Sequence, residues 1–144
     1  MFSKACEYAI RATIFIAGQS MKGLKAGQKE IAQAIEGPEA FTAKTLQKLS
    51  RSRIVSSDKG PNGGFYLSPQ QLNDISLIHI VEAIDGNEMF HACGLGLKAC
   101  NSQRPCPVHF QYKKIRDGLL HMLTTTNVRD LAMDLKKGEA FLTR

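Results

Sequence analysis

Cys93, Cys100 and Cys106 fall in one short stretch, and His109 follows the third of them after two intervening residues. Three thiolates and an imidazole within 17 residues can converge on a single metal centre, and a thiolate-rich donor set favours zinc or iron–sulfur. Six residues separate Cys93 from Cys100, and five separate Cys100 from Cys106. Structural zinc usually takes pairs two to four residues apart, because one ion needs a tight knuckle. A wider spacing, with Gly94 and Gly96 inside it, leaves room for a larger multi-iron group. The plain alternatives are free or buried thiols, with His109 only capping a helix. Its Cys-x-x-His spacing lacks the second Cys of a haem attachment motif.

Cys6, the fourth cysteine, reads as a small packing residue. Beside it, Glu7 has two readings: an ion pair with Arg11 four residues on, or an oxygen ligand offered to the metal centre of another subunit. No phosphate-binding loop follows from Gly60–Gly64 or from Gly94–Lys98, since no Lys-Ser/Thr stands in a strand-to-helix frame. No Ser or Cys nucleophile has a local base partner, so no catalytic site is expected.

The elements that must position these groups are mainly helical. A first helix over about 4–18, capped by Ser3, repeats apolar residues at Ala5, Tyr8, Ala9, Ala12, Phe15 and Ile16 so broadly that it must be covered nearly all round. A second helix over about 28–36 turns Ile31, Ala32 and Ile35 inward and ends at Gly37-Pro38. A third, over about 43–52 with Thr42 as its cap, buries Leu46 and Leu49 beside Thr45. Ile54–Ser57 and Phe65–Leu67 read as strands of a hairpin joined by the turn-rich run 58–64. A helix from Asp74-Ile75-Ser76 to about Asp85 directs Ile75, Ile78, Val81 and Ile84 inward, and residues 90–106 read as a loop. A long helix over about 107–124 carries Val108, Tyr112, Ile115, Leu119 and Met122 at spacings of 4, 3, 4 and 3, a heptad seam suited to pairing with a second copy. A last helix covers about 127–136.

Charge divides the chain. Residues 1–68 hold ten Lys/Arg against five Asp/Glu, and residues 69–144 hold nine against eight. A basic half points to a polyanion partner. Three helices and a hairpin in that half is the order of a winged helix-turn-helix, whose recognition helix enters the major groove. Thr42, Lys44, Gln47, Lys48 and Arg51 form the expected outward face of the third helix, with Arg53 at the base of the hairpin and Lys59 at its tip.

Ser3-Lys4…Tyr8-Ala9-Ile10-Arg11-Ala12, the wing Lys59–Leu67 and the loop Cys93…Cys100…Cys106-Pro107-Val108-His109 together resemble the IscR/NsrR family of bacterial regulators, across nearly the whole chain. The resemblance implies a homodimeric winged-helix transcription factor whose long helix pairs with its twin and whose loop cysteines hold a 2Fe–2S or 4Fe–4S cluster. It implies His109 as the fourth ligand on the IscR-like pattern, or Glu7 from the partner on the NsrR-like one. Two departures stand out: the first Cys spacing is one residue longer than the IscR-like pattern, and Ala43 replaces a sequence-reading Glu. The operator sequence therefore does not transfer.

The expected fold is mainly α with a small β-hairpin wing: a winged helix-turn-helix domain over 1–68, a connecting helix and cluster loop over 69–106, and a dimerisation helix with a C-terminal helix over 107–144. The expected function is a regulator, a repressor, that binds a palindromic duplex as a homodimer and is switched by an iron–sulfur cluster, 2Fe–2S favoured. Zinc-containing or metal-free regulators controlled by a protein partner or small molecule, and a small iron–sulfur electron-transfer protein, are the alternatives. No stretch of 18 apolar residues and no signal-peptide pattern occurs, which suggests a cytoplasmic protein.

Overall fold

The computed structural model describes residues 1–144. Helix α1 (Lys4–Met21) is followed by α2 (Gln28–Ala34), α3 (Glu39–Arg51), strands β1 (Ser56–Asp58) and β2 (Gly64–Tyr66), α4 (Pro69–Asp74), α5 (Leu77–Asp85), a 3-10 turn at Glu88–Phe90, α6 (His109–Thr125) and α7 (Val128–Lys136). The mainly helical winged architecture is the one expected.

Ser3 caps α1 by accepting from the Cys6 amide. The helix runs through Gly18 and ends beyond it, where Gly23 at φ 74° lets the Leu24 and Gly23 amides reach the Gln19 and Ser20 carbonyls. An interior glycine costs a helix about 1 kcal/mol. Packing offsets that here: α1 lies against α7, α5 and α3, with Ala9, Ala12, Ile16 and Ala17 buried.

Helix α3 begins earlier than expected. Thr42 is not its cap: the Thr42 amide already donates to Pro38 O, and Pro38, with φ −60°, starts the helix. Gly37 makes the preceding turn tight enough that a Cβ there would meet Thr42 Oγ1 at 3.0 Å. Ile31, Ile35, Leu46 and Leu49 close the core between α2 and α3.

Strands β1 and β2 pair antiparallel with Ser57 opposite Phe65; β1 starts two residues into the run that suggested it and β2 one residue before its own. Ile54 and Val55 precede β1 and are buried, while Phe65 also exchanges both backbone bonds with Ala26, at 2.9 and 2.8 Å. Gly63 and Gly64 are required at the turn: a Cβ on the first would lie 2.2 Å from Asp58 O, and one on the second 2.9 Å from Ala26 O.

Ser68-Pro69 starts a short helix, α4, that was not expected from the sequence, with Ser68 and Gln71 forming a capping box. Helix α5 then buries Leu77, Ile80 and Val81, leaving Ile75, Ile78 and Ile84 half-buried. Of the residues expected inward only Val81 is fully buried; the buried face is rotated toward Leu77 and Ile80. Residues 75–77 bond to residues 126–128, which lays α7 back over α1. One contiguous core runs from Cys6 to Ala132 and draws on all three stretches of the chain.

Candidate nucleic-acid interface and metal centre

Lys44, Gln47, Lys48 and Arg51 are exposed along one side of α3, and Leu46 and Leu49 anchor the other. Thr42 does not belong to the exposed face. It is fully buried in the first turn, one turn ahead of Leu46, and its hydroxyl has no partner. Arg53 and Lys59 are exposed at the base and tip of the wing. Arg53 ends α3 in the left-handed region at φ 59°, its amide reaching Ser50 O while the Ile54 amide reaches Leu49 O. That geometry aims the chain from α3 into β1. Lys25, not singled out from the sequence, pairs with Asp58 at 2.7 Å and lies over the Tyr66 ring, so the acidic end of β1 is neutralised beside the basic tip.

The second constellation lies on α6. The helix starts at His109, later than expected, because Cys106-Pro107-Val108 forms a turn in which the His109 amide bonds to Cys106 O. Its inward residues are His109, Arg116 and Leu123, spaced by seven. Val108, just before the helix, and Tyr112, Ile115 and Met122 on it are exposed, Ile115 to 67%, with Leu119 half-buried. The heptad residues therefore leave an apolar strip uncovered by their own chain.

The cysteine loop lies along this helix. Cys93 and Cys106 sulfurs are 3.7 Å apart, and Cys100 Sγ lies 3.4 Å from His109 Nδ1. His109 is buried, and its Nε2 has no partner. The Leu95 amide donates to Cys93 Sγ at 3.4 Å. That bond, with the Leu97 amide next, holds the Cys93 thiol below its ordinary range and favours the thiolate. Gly94 lies so close to Tyr112 that a Cβ would be 2.8 Å from the ring. Arg116 Nη1 donates to Ala92 O at 2.8 Å. Neither contact was legible from the sequence, although Arg116 stands seven residues after His109.

The donor distances can be set against metal–ligand geometry. No three of the His, Cys, Asp and Glu groups close around a single-ion position. The donors instead form two pairs. A tetrahedral metal with bonds of about 2.3 Å to sulfur and 2.0–2.1 Å to nitrogen has S–S and S–N edges of roughly 3.75 and 3.5–3.6 Å. The observed 3.7 and 3.4 Å are close to those edges. Each pair thus has about the separation of two donors on one metal, and the chemistry of the set, three thiolates and an imidazole, fits an iron–sulfur group.

Glu7 makes its ion pair with Lys4, at 2.9 Å, and not with Arg11. Arg11 instead donates to Ile35 O at the end of α2 and lies over the Tyr8 ring. Cys6 is fully buried, and burial, followed by the nearby Asp85 carboxylate, pushes its thiol up to about 12.

A family model described as iron-dependent transcriptional regulator, Rrf2, matches residues 2–134. The chain belongs to the Rrf2 family. A protein of Aquifex aeolicus (strain VF5) that bears the name of an HTH-type transcriptional regulator is 29% identical over 133 residues, 91% of this chain and 90% of its own. Among solved structures, CymR (YrzC), the global cysteine regulator of B. subtilis, is similar with a TM-score of 0.75 at 22% identity, covering 92% of this chain and 96% of that one. T. potens IscR is similar with a TM-score of 0.73 at 17% identity, over 97% and 91% of the two chains. As an Rrf2-family protein the chain is a DNA-binding transcriptional regulator and not an enzyme. None of its helices is long and apolar enough to cross a membrane.

Proposed function

We infer that this Rrf2-family regulator is a homodimeric repressor whose operator affinity is set by a 2Fe–2S cluster bound by Cys93, Cys100, Cys106 and His109. The observation that carries this reading is the two-plus-two donor arrangement on α6, since each iron of a 2Fe–2S cluster takes two protein ligands. The family description as iron-dependent supports it. A 4Fe–4S cluster, with one ligand per iron, suits four separated donors better than two close pairs. His109 is favoured over Glu7 because it is buried against Cys100, whereas Glu7 is engaged by Lys4.

The three stretches then have distinct tasks. Residues 1–68 read DNA through α3 and the wing, 69–106 carry the loop, and 107–144 pair the two copies. Lys44, Gln47, Lys48, Arg51, Arg53 and Lys59 face the duplex. A bound cluster would be held by Cys93, Cys100, Cys106 and His109 and would supply the redox-sensitive chemistry of the switch. Tyr112 touches Gly94 on one side and belongs to the exposed strip on the other, so the shape of the loop bears directly on the dimer seam. Small changes there alter the separation of the two recognition helices, and DNA fixes that separation by its helical turn.

Anaerobic purification followed by iron, acid-labile sulfide and visible-spectrum measurements tests the cluster. Operator titrations before and after its removal test the switch, and a difference of about 5- to 150-fold is expected. Alanine at Cys93, Cys100, Cys106 or His109 abolishes or shortens the life of the centre, while Glu7→Gln and Cys6→Ala leave it intact. Protein that holds zinc or no metal, or binds DNA equally in both states, overturns the sensing mechanism and favours a regulator controlled by a partner or small molecule.

A further inference from the structure

Arg116 is 8% exposed, yet it forms no ion pair with any carboxylate. The neighbouring Asp117 is taken by Lys113. The Arg116 Nε is buried without a partner, and its one polar contact is the charge-assisted bond from Nη1 to Ala92 O. Asp117 acts on the guanidinium only at longer range, so a mostly buried arginine with an unpartnered Nε and no direct ion pair is costly, and an apolar side chain would fill the same place without that cost. Its bond goes to the residue immediately before Cys93. On the same side of α6, Tyr112 meets Gly94 and His109 meets Cys100.

We propose that Arg116 is a positioning residue that anchors the Cys93 limb of the loop to α6, completing with His109 a two-ended clamp on the cysteine loop. His109 holds the Cys100 limb from the first turn of the helix. Arg116, two turns further on, holds the opposite limb. A loop fastened at both ends cannot rearrange without moving α6, and the exposed seam adjoins the loop-facing stripe through Tyr112, which meets Gly94. The part of this proposal that concerns cluster lifetime rests on the functional reading above. The anchoring of the loop does not.

The test uses the full chain with Arg116→Met and Arg116→Lys, and Lys114→Met as an exposed control on the same helix. Hydrogen exchange is measured first in chelator-treated, metal-free protein, at the Ala92, Leu95 and Gly96 amides, which bond to Glu88 O, Cys93 Sγ and Cys93 O. Arg116→Met should accelerate these amides by about tenfold or more, as expected for losing a bond to a charged donor. Amides of α1–α3 should be unchanged, and Arg116→Lys, which keeps a cationic donor, should fall nearer wild type. In iron-reconstituted protein, Arg116→Met should shorten cluster lifetime in air and alter the visible circular dichroism. Unchanged loop exchange, equal acceleration throughout the chain, or identical behaviour of Lys and Met would overturn the anchor. If wild-type protein takes up no iron, the cluster reading fails while the metal-free exchange result still decides the role of Arg116.

Discussion

Two cysteines of this chain have opposite surroundings. Cys93 receives a backbone N–H at its sulfur and is biased toward thiolate, whereas Cys6 is sealed in the core near Asp85 with its thiol pushed up to about 12. Because the folded Cys6 holds its proton more tightly than the unfolded chain, its contribution to stability is full below the ordinary thiol value of 9.0 and is lost as pH rises from there through 12. Melting temperature should therefore fall between pH 9 and 11 more steeply in wild type than in Cys6→Ala. Equal slopes would show that Cys6 does not govern the alkaline limb. Arg53 offers a second residue-scale test, because it combines a left-handed backbone with an exposed basic side chain. Arg53→Gly removes the steric cost of that conformation, partly offset by added freedom in the unfolded chain, and should raise stability by about 0.5–1 kcal/mol in urea unfolding. DNA affinity should drop in the same variant. Retained affinity would remove Arg53 from the interface.

At the scale of elements, α6 carries two unlike stripes. His109, Arg116 and Leu123 face their own chain, while Val108 and the helical residues Tyr112, Ile115 and Met122 are left outside. Ile115 is 67% exposed in the single chain, so Ile115→Asp should fold with an unchanged far-ultraviolet spectrum and sediment as a monomer. In a dimer the same carboxylate would be buried without a partner, at a cost of several kcal/mol. A variant that stays dimeric would assign the seam to other residues. The strip also includes Tyr112, which meets the cysteine loop at Gly94, so on the proposed reading the cluster loop and the pairing surface adjoin along one helix.

For the whole molecule, the useful quantity is the spacing between two copies of α3. A symmetric dimer reads two half-sites one helical turn apart, about 34–36 Å or 10–10.5 base pairs. Inserting about five base pairs between the half-sites turns them to opposite faces of the duplex, and affinity should fall at least tenfold in a mobility-shift titration. Affinity for the intact operator should also decline steeply with salt, as phosphate contacts from Lys44, Lys48, Arg51 and Lys59 release counterions. Indifference to spacing would mean that each copy binds on its own.

Local chemistry was enough to determine much of this protein from its sequence. Ser3 as a cap, the inward faces of α2 and α3, the glycines of the wing turn and the heptad strip follow from spacing and from what each residue type tolerates. The cysteines, histidine and basic face were legible as groups for the same reason. Other features depended on contacts between distant segments. Thr42 looked like a cap by type, but Pro38 started the helix sooner and drove the hydroxyl into the core. The buried face of α5 was expected at Ile75, Ile78, Val81 and Ile84, but of these only Val81 is fully buried, with Leu77 and Ile80 beside it, and pairing with residues 126–128 accompanies that placement. The partners of Glu7 and Arg11 exchanged, because Ile35 O and Tyr8 lie within reach of the guanidinium only once α2 has packed on α1. The division of the loop donors into two pairs, and the bond from Arg116 that ties them to α6, likewise exist only after the chain has closed on itself.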